Sequence, residues 1–392
     1  MKILLTTSFY PPYHIGGDAV HVKYLAEGLA KRGHNVHVMF SVDAYKFKKK
    51  GNFNGIENLN NVTFHPLSSP LGKFEPILNY SLTTMPYTFG YFERLIKNNN
   101  FDVVHHHNIS LLGEGILKKL GGYVNLYTAH DYWLVCPKFS RFSQGRVCDA
   151  KKGCFSCCLR DRKPYPVARI FQGFKKHASD IDAIICPSDF MANAISKEFK
   201  KCRIIYNFIT TENKTIENEI NAKYKKGNYF LFAGILENEK GIMELISIFK
   251  KNKKNLIIAG DGPLKAEVQR ESLDNINYVG WLKPNELHSF IRGCNAVIIP
   301  SVCEENFPTI ALEALSYGKP VIGSDKGGIP EIVGKIGSKL IFHSFDELEE
   351  LLESTNLKIY NEKKIEKIYE DYFSEDKYFK SYFSLIDNIC KK

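Results

Sequence analysis

Long hydrophobic runs are missing from this sequence. No apolar stretch approaches the ~20 residues that a membrane-spanning helix needs. Met1–Ser8 holds one lysine and a short apolar run without a cleavage-type site, so no secretory signal is expected and a cytoplasmic location is. Also missing are basic residues interleaved with aromatics in a nucleic-acid recognition motif, which makes nucleic acid the least favoured partner. Acid is the scarcer charge: 43 Asp and Glu stand against 53 Lys and Arg, a net charge of +10. The excess clusters at Lys46, Lys48, Lys49 and Lys50, and again at Lys151, Lys152, Arg160, Arg162, Lys163, Lys175 and Lys176. Such patches meet an anionic membrane surface or an acidic substrate, or are simply solvated.

The 392 residues exceed one ordinary domain and suit two of α/β type, and 44% hydrophobic content fills two cores. Lys2–Thr7 reads as a strand, Gly16–Gly17 as a loop, and Asp18–Lys31 as an amphipathic helix ended by Gly33. Strand, glycine loop and helix open a Rossmann-like domain, whose glycines let backbone approach a phosphate or a reacting sugar. The pattern is not G-x-G-x-x-G, which argues against a dinucleotide. Further strands are expected at Val36–Phe40, Val62–Pro66, Phe101–His106, Tyr123–Thr128, Ile181–Pro187 and Arg203–Tyr206, with one helix over Ile77–Lys97. His105, His106 and His107 read as strand-end polar residues, since neighbours on a strand point to opposite faces and cannot share one metal.

This first domain spans 1–207, and the polar stretch 208–228 reads as a linker. A second Rossmann-like domain is expected over 229–372 and a closing helix over 373–392. Its centre is the run from Pro300 to Val333. Ile298–Pro300 ends a strand, Pro308 suits position N1 of a helix, Ile310–Tyr317 forms that helix and Gly318 stops it. Glu305 then stands in a loop before a helix N-terminus, and Glu313 lies inside the helix. Free N–H groups and the helix dipole favour a phosphate there, with one carboxylate for sugar hydroxyls and one for ribose.

Glu305-x7-Glu313, with Asn306–Phe307–Pro308 between, Gly318–Lys319–Pro320–Val321 after and Gly327–Gly328–Ile329–Pro330–Glu331 beyond, resembles the retaining family 4 glycosyltransferases (glycosyl transferases group 1) of the GT-B fold. The resemblance covers Lys2 to about Ser374. It implies two Rossmann-like domains facing across a cleft, with the last helix crossing back to the first. It implies a nucleotide diphosphate sugar as donor, and a glycan or lipid-linked acceptor that receives a hexose-type sugar on a hydroxyl. Gly16 and Gly17 match a loop beside the donor phosphates and the acceptor. His130 matches a histidine near the donor sugar and, with Glu305, is the expected catalytic pair. Lys240 matches a phosphate-gripping lysine, while Ile235 stands where the family usually has arginine. Leu282 matches a position whose backbone holds the base, and Glu305, Asn306, Phe307, Pro308, Thr309, Ile310 and Glu313 complete the donor set. No metal is implied for the chemistry. Two other readings of the same fold remain, a nucleotide-sugar epimerase and a catalytically weak nucleotide-sugar-binding scaffold. A place on the inner membrane face would accompany a lipid-linked acceptor.

Ten cysteines in a long chain of cytosolic character are not a disulfide framework. Five fall between Cys136 and Cys158, in an insertion at 134–163. Cys154-x-x-Cys157 is half of a tetrahedral zinc site, and Cys136 and Cys148 would complete it as a structural staple. Plain thiols are the equal alternative, and an iron–sulfur cluster is less favoured because nothing else here suggests electron transfer.

Overall fold

In the computed structural model, residues 1–49, 53–143, 146–148, 153–169, 173–210 and 227–391 are described. Lys50, Lys151, Lys152 and most of the expected linker, 211–226, lie outside the described residues. The chain divides into two compact units, Met1–Ile205 with Phe379–Lys392, and Tyr206–Tyr378. Among the described residues no helix is long and apolar enough to cross a membrane.

The first unit holds strands β1 (Lys2–Thr7), β2 (Asn35–Ser41), β3 (Val62–Leu67), β4 (Val103–His106) and β5 (Val124–Thr128). A short ribbon, β6 (Phe142–Ser143) and β7 (Arg146–Val147), precedes β8 (Ala183–Cys186) and β9 (Cys202–Ile204). Its helices are α1 (Gly17–Lys31), α2 (Val42–Lys48), α3 (Phe74–Ser81), α4 (Pro86–Lys97), α5 (Cys154–Arg160), α6 (Gly173–Ala178) and α7 (Asp189–Ser196). The main sheet runs β3-β2-β1-β4-β5-β8-β9, and every pair in it is parallel. Order reverses between β1 and β4, so the loops leaving those strands splay apart at the place where open α/β sheets gather ligands. Gly16, in the left-handed region at φ 87°, precedes α1 there. The single helix expected over Ile77–Lys97 is two. Pro86 lacks an N–H and starts α4, and the chain turns between Ser81 and Pro86.

The second unit contains β10 (Phe230–Ala233), β11 (Leu256–Ala259), β12 (Ile276–Gly280), β13 (Val297–Ile299), β14 (Val321–Ser324) and β15 (Ile341–Phe342). Its sheet, β12-β11-β10-β13-β14-β15, is also wholly parallel and reverses between β10 and β13. Helices α8 (Ile242–Asn252), α9 (Lys265–Arg270), α10 (Pro284–Gly293), α11 (Thr309–Ser316), α12 (Ile329–Ile336), α13 (Phe345–Ser354) and α14 (Glu362–Tyr372) connect and follow the strands. The strands are near-continuous apolar runs, as expected where helices cover both faces. Helix α15 (Glu375–Cys390) begins in this unit, and its residues from Phe379 onward pack with the first. There, the Arg32 guanidinium lies 4.0 Å from the Phe379 ring centroid.

Candidate active site

At the reversal of the second sheet, the loops after β10 and β13 lie side by side. Backbone N–H of Val302 donates to the Glu239 carbonyl at 3.0 Å and so ties them together. Gly241 sits at φ 67° against Pro300, where a Cβ would run into the Pro300 carbonyl. Across this seam Nζ of Lys240 meets Oε1 of Glu305 at 2.5 Å, and the Ser301 hydroxyl donates to the same oxygen at 2.7 Å. Burial alone would lower the Lys240 ammonium, but the Glu305 carboxylate outweighs it and holds Lys240 above its usual value. From the other side Gly328 N–H donates to the Glu305 carbonyl at 2.7 Å, and Gly327, at φ 61°, lies too close to that carbonyl for any Cβ. Glu305 is therefore gripped at both backbone and carboxylate.

Helix α11 follows directly. Its cap is Pro308 and its first residue Thr309, so Pro308 stands one place before the expected N1. The first-turn N–H groups of Thr309 and Ile310 are the ones a helix leaves for an anion. Glu313, one turn in, has its carboxyl pushed up to about 7 by burial. Nε2 of His288 on α10 lies 3.8 Å from it, and burial lowers that imidazole. Lys240, Glu305, Asn306, Thr309, Ile310 and Glu313 thus come from the loop after β10, the loop after β13 and α11, at one sheet edge. Phe307 does not present its ring there. It is buried, stacked on Tyr206 with centroids 5.3 Å apart and packed on Phe373, so only its backbone is left for a ligand. Leu282 is half-buried beside an exposed Trp281, and Ile235 is 47% exposed.

In the first unit, Gly16 and Gly17 are exposed ahead of α1, and Asp18 follows. The Asn108 amide donates to Asp18 at 2.8 Å, while burial holds the Asp18 carboxyl above its usual range. His130 stands after β5, its Nε2 2.9 Å from Nδ1 of His107. Burial keeps both imidazoles well below the usual histidine range. Asp131 accepts the Trp133 N–H at 2.8 Å, and burial pushes its carboxyl up to about 7. The histidine run stands at the end of β4, as the sequence reading has it. His105, His106 and His107 are all fully buried there. His106 faces Thr6, with 2.7 Å between Nδ1 and Oγ1, and His105 bonds the Thr128 hydroxyl at 2.7 Å. Sequence reasoning missed Asp18, His107 and Asp131. The one signal for His107 was the alternation itself, which puts His105 and His107 on one face.

The insertion is stapled by ordinary contacts. Lys138 pairs with Asp161, and the Tyr80 hydroxyl reaches the carbonyls of Pro137 at 2.9 Å and Pro164 at 3.1 Å. Cys136, Cys148, Cys154 and Cys157 are free thiols. Among the described residues no group of three or more His, Cys, Asp or Glu side chains is placed to hold a metal ion. Burial, followed by Cys136 and Cys148, raises Cys154.

One surface combines charge with exposed apolar groups. Lys46, Phe47, Lys48 and Lys49 at the end of α2, Leu71, Lys73 and Phe74 at the start of α3, and Leu82 and Tyr87 near the start of α4 are all exposed. Within the aromatic stretch Phe74–Phe92, Phe74 is 60% exposed and Tyr87 is exposed as well, whereas Phe92 is core.

The chain is 25% identical over 349 residues to an uncharacterised 42.6 kDa protein of the cps region of Klebsiella pneumoniae, covering 85% of this chain and 87% of that one. It is 29% identical over 202 residues to a lipopolysaccharide 1,2-N-acetylglucosaminetransferase of Salmonella typhimurium, covering 45% and 53%. The structure of Anabaena HepE in complex with UDP-glucose superposes with a TM-score of 0.61 at 16% identity, over 100% of this chain and 98% of that one. Residues 213–372 match the profile of glycosyl transferases group 1. Residues 15–213 match that of Glycosyltransferase Family 4, and the chain belongs to this family of GT-B glycosyltransferases.

Proposed function

We propose that this glycosyltransferase takes a hexose-type sugar from a nucleotide diphosphate sugar and transfers it, with retention, to a hydroxyl of a lipid-linked or polysaccharide acceptor. The observation that carries the reading is the Lys240–Glu305 pair, held at 2.5 Å in front of α11. Lys240 and the N–H groups of Thr309 and Ile310 suit a diphosphate. Glu305 suits sugar hydroxyls, and Glu313 suits ribose. His130 and the Gly16–Gly17 loop suit the sugar and the acceptor side. The acceptor oxygen bonds to the anomeric carbon on the face from which the diphosphate departs, and the C1–O bond to that diphosphate breaks. The hydroxyl proton passes to the departing phosphate oxygen. What the protein supplies is position and charge. The UDP-glucose complex of Anabaena HepE supports a nucleotide sugar, and the Salmonella transferase supports a cell-envelope glycan.

A peripheral place on an anionic membrane face belongs to the same proposal. Its support is the exposed surface of Phe47, Leu71, Phe74 and Leu82 among Lys46, Lys48, Lys49 and Lys73.

Incubation with pooled nucleotide sugars is the test. Slow release of free nucleoside diphosphate is expected. A changed sugar without released nucleotide would mark an epimerase instead, and no turnover at all would leave a binding scaffold, for which the exposed Ile235 in place of arginine is the one favouring feature.

A further inference from the structure

Four imidazoles gather where β4 and β5 end: His105, His107 and His130, with His21 from α1. Ring centroids are 4.2 Å apart for His105 and His107, 5.2 Å for His107 and His130, and 5.2 Å for His21 and His130. Within this group Nδ1 of His107 and Nε2 of His130 are 2.9 Å apart. Two neutral imidazoles that share a hydrogen bond hold one proton on the shared edge. Burial keeps both rings neutral near neutral pH, so this condition applies.

Two arrangements meet it. In the first, Nε2–H of His130 donates to Nδ1 of His107. His107 must then carry its own proton on Nε2, which is buried without a hydrogen-bond partner. In the second, Nδ1–H of His107 donates to Nε2 of His130, and the unpartnered atom is a bare lone pair. Orphaned buried N–H groups are rarer than under-satisfied acceptors. The second arrangement is therefore favoured. The packing around His107 is also constrained: the neighbouring His105 ring is held through its Nε2 by the Thr128 hydroxyl at 2.7 Å, and Tyr382 lies 3.3 Å from its Nδ1.

We propose that His107 is a positioning residue that fixes His130 in its Nδ1–H tautomer, so that His130 serves the sugar as a hydrogen-bond donor and not as a base. This rests on the reading that His130 lies at the donor sugar. With its Nε2 lone pair taken by His107, His130 has no lone pair left for the acceptor's proton. That proton goes to the departing phosphate, as the retaining route requires. His107 thereby divides the work between ring and leaving group.

Long-range 15N–1H spectra of the full chain with labelled imidazoles read the tautomer directly. A His130 protonated on Nδ1 is expected, and one protonated on Nε2 overturns the proposal. Kinetics on a nucleotide sugar that the wild type cleaves give the second readout. His107→Asn keeps an amide donor near the Nδ1 position, His107→Gln moves it toward Nε2, and His107→Leu has none. Expected is a fall in kcat of roughly tenfold or more for Leu and Gln, the size usual for a lost orienting partner, with Asn much closer to wild type and donor KM nearly constant. Equal kcat in all three variants overturns the positioning role. If His107→Leu does not fold, the contrast between Asn and Gln decides. If the wild type cleaves no nucleotide sugar, the functional reading above has failed, and the spectrum still decides this inference.

Discussion

Nζ of Lys240 lies 2.5 Å from Oε1 of Glu305, although 65 residues separate them in the chain. Strand order brings them together, because β10 and β13 are neighbours and their following loops leave the same sheet edge. A half-buried ammonium is kept charged by a half-buried carboxylate, so neither can be removed without consequence for the other.

Glu305→Ala is expected to lower kcat on a nucleotide sugar by about a hundredfold or more, in the range seen when an electrostatic partner of the transition state is lost. Glu313→Ala is expected mainly to raise donor KM, since contacts to ribose do not strengthen as the bond breaks. Steady-state kinetics on both variants check this. Equal, small effects on both would remove the assignment.

Donor affinity has a pH signature. Burial places the Glu313 carboxyl at about 7, so it is protonated below that value and loses acceptor capacity for ribose hydroxyls. His288 faces it from α10, and Arg292 on the same helix acts on His288. Donor KM is expected to rise as pH falls from about 8 to about 6 through this pKa. Glu313→Gln should flatten the profile. An unchanged slope in that variant would place the titrating group elsewhere.

Gly327→Ala should damage activity and stability together. A Cβ there runs into the Glu305 carbonyl, at φ 61°. Gly33 has φ 82° but open space around it, so Gly33→Ala feels backbone strain alone, about 1–2 kcal/mol. Thermal melts with kinetics separate the two. Gly33→Ala should lose a few degrees of Tm and keep kcat, whereas Gly327→Ala should lose both.

Acid should unfold the first unit. His105, His106, His107 and His130 are buried and held below the usual 6.5, His106 at about 3. A depressed base is neutral in the fold and gains its proton in the unfolded chain. Its stability contribution is present above the unfolded pKa of ~6.5 and is lost as pH falls toward the folded value, at most about 1.4 kcal/mol per pH unit for each imidazole. Calorimetry between pH 7.5 and 5 should show Tm falling below ~6.5. A flat Tm would contradict the burial of these rings.

Sedimentation with anionic vesicles tests the membrane face. Pelleting is expected at low salt and release at high salt, because the Debye length shrinks from about 30 Å at 0.01 M to about 3 Å at 1 M. Leu71→Ser with Phe74→Ser should weaken pelleting without changing turnover of a soluble nucleotide sugar. A wild-type chain that stays in the supernatant at low salt makes a soluble acceptor the better proposal.

Local chemistry determined much of this molecule. Alternating apolar residues, two glycines and an amphipathic run suffice for β1, the loop and α1. Pro308 before an apolar run and Gly318 after it suffice for α11, and hence for Glu305 outside the helix and Glu313 within it. These features depend on neighbours a few residues apart, which is the range over which a sequence pattern speaks. The break between α3 and α4 at Pro86 was equally local. Tertiary structure decided the rest. It set Lys240 on Glu305 through strand order and turned Phe307 inward onto Tyr206. It brought Lys138 onto Asp161 across the insertion. It also drew His107 and His130 from adjacent parallel strands into one hydrogen bond. Those outcomes depend on which strands become neighbours and on which side chains burial can satisfy, and neither is written in the spacing of any single segment.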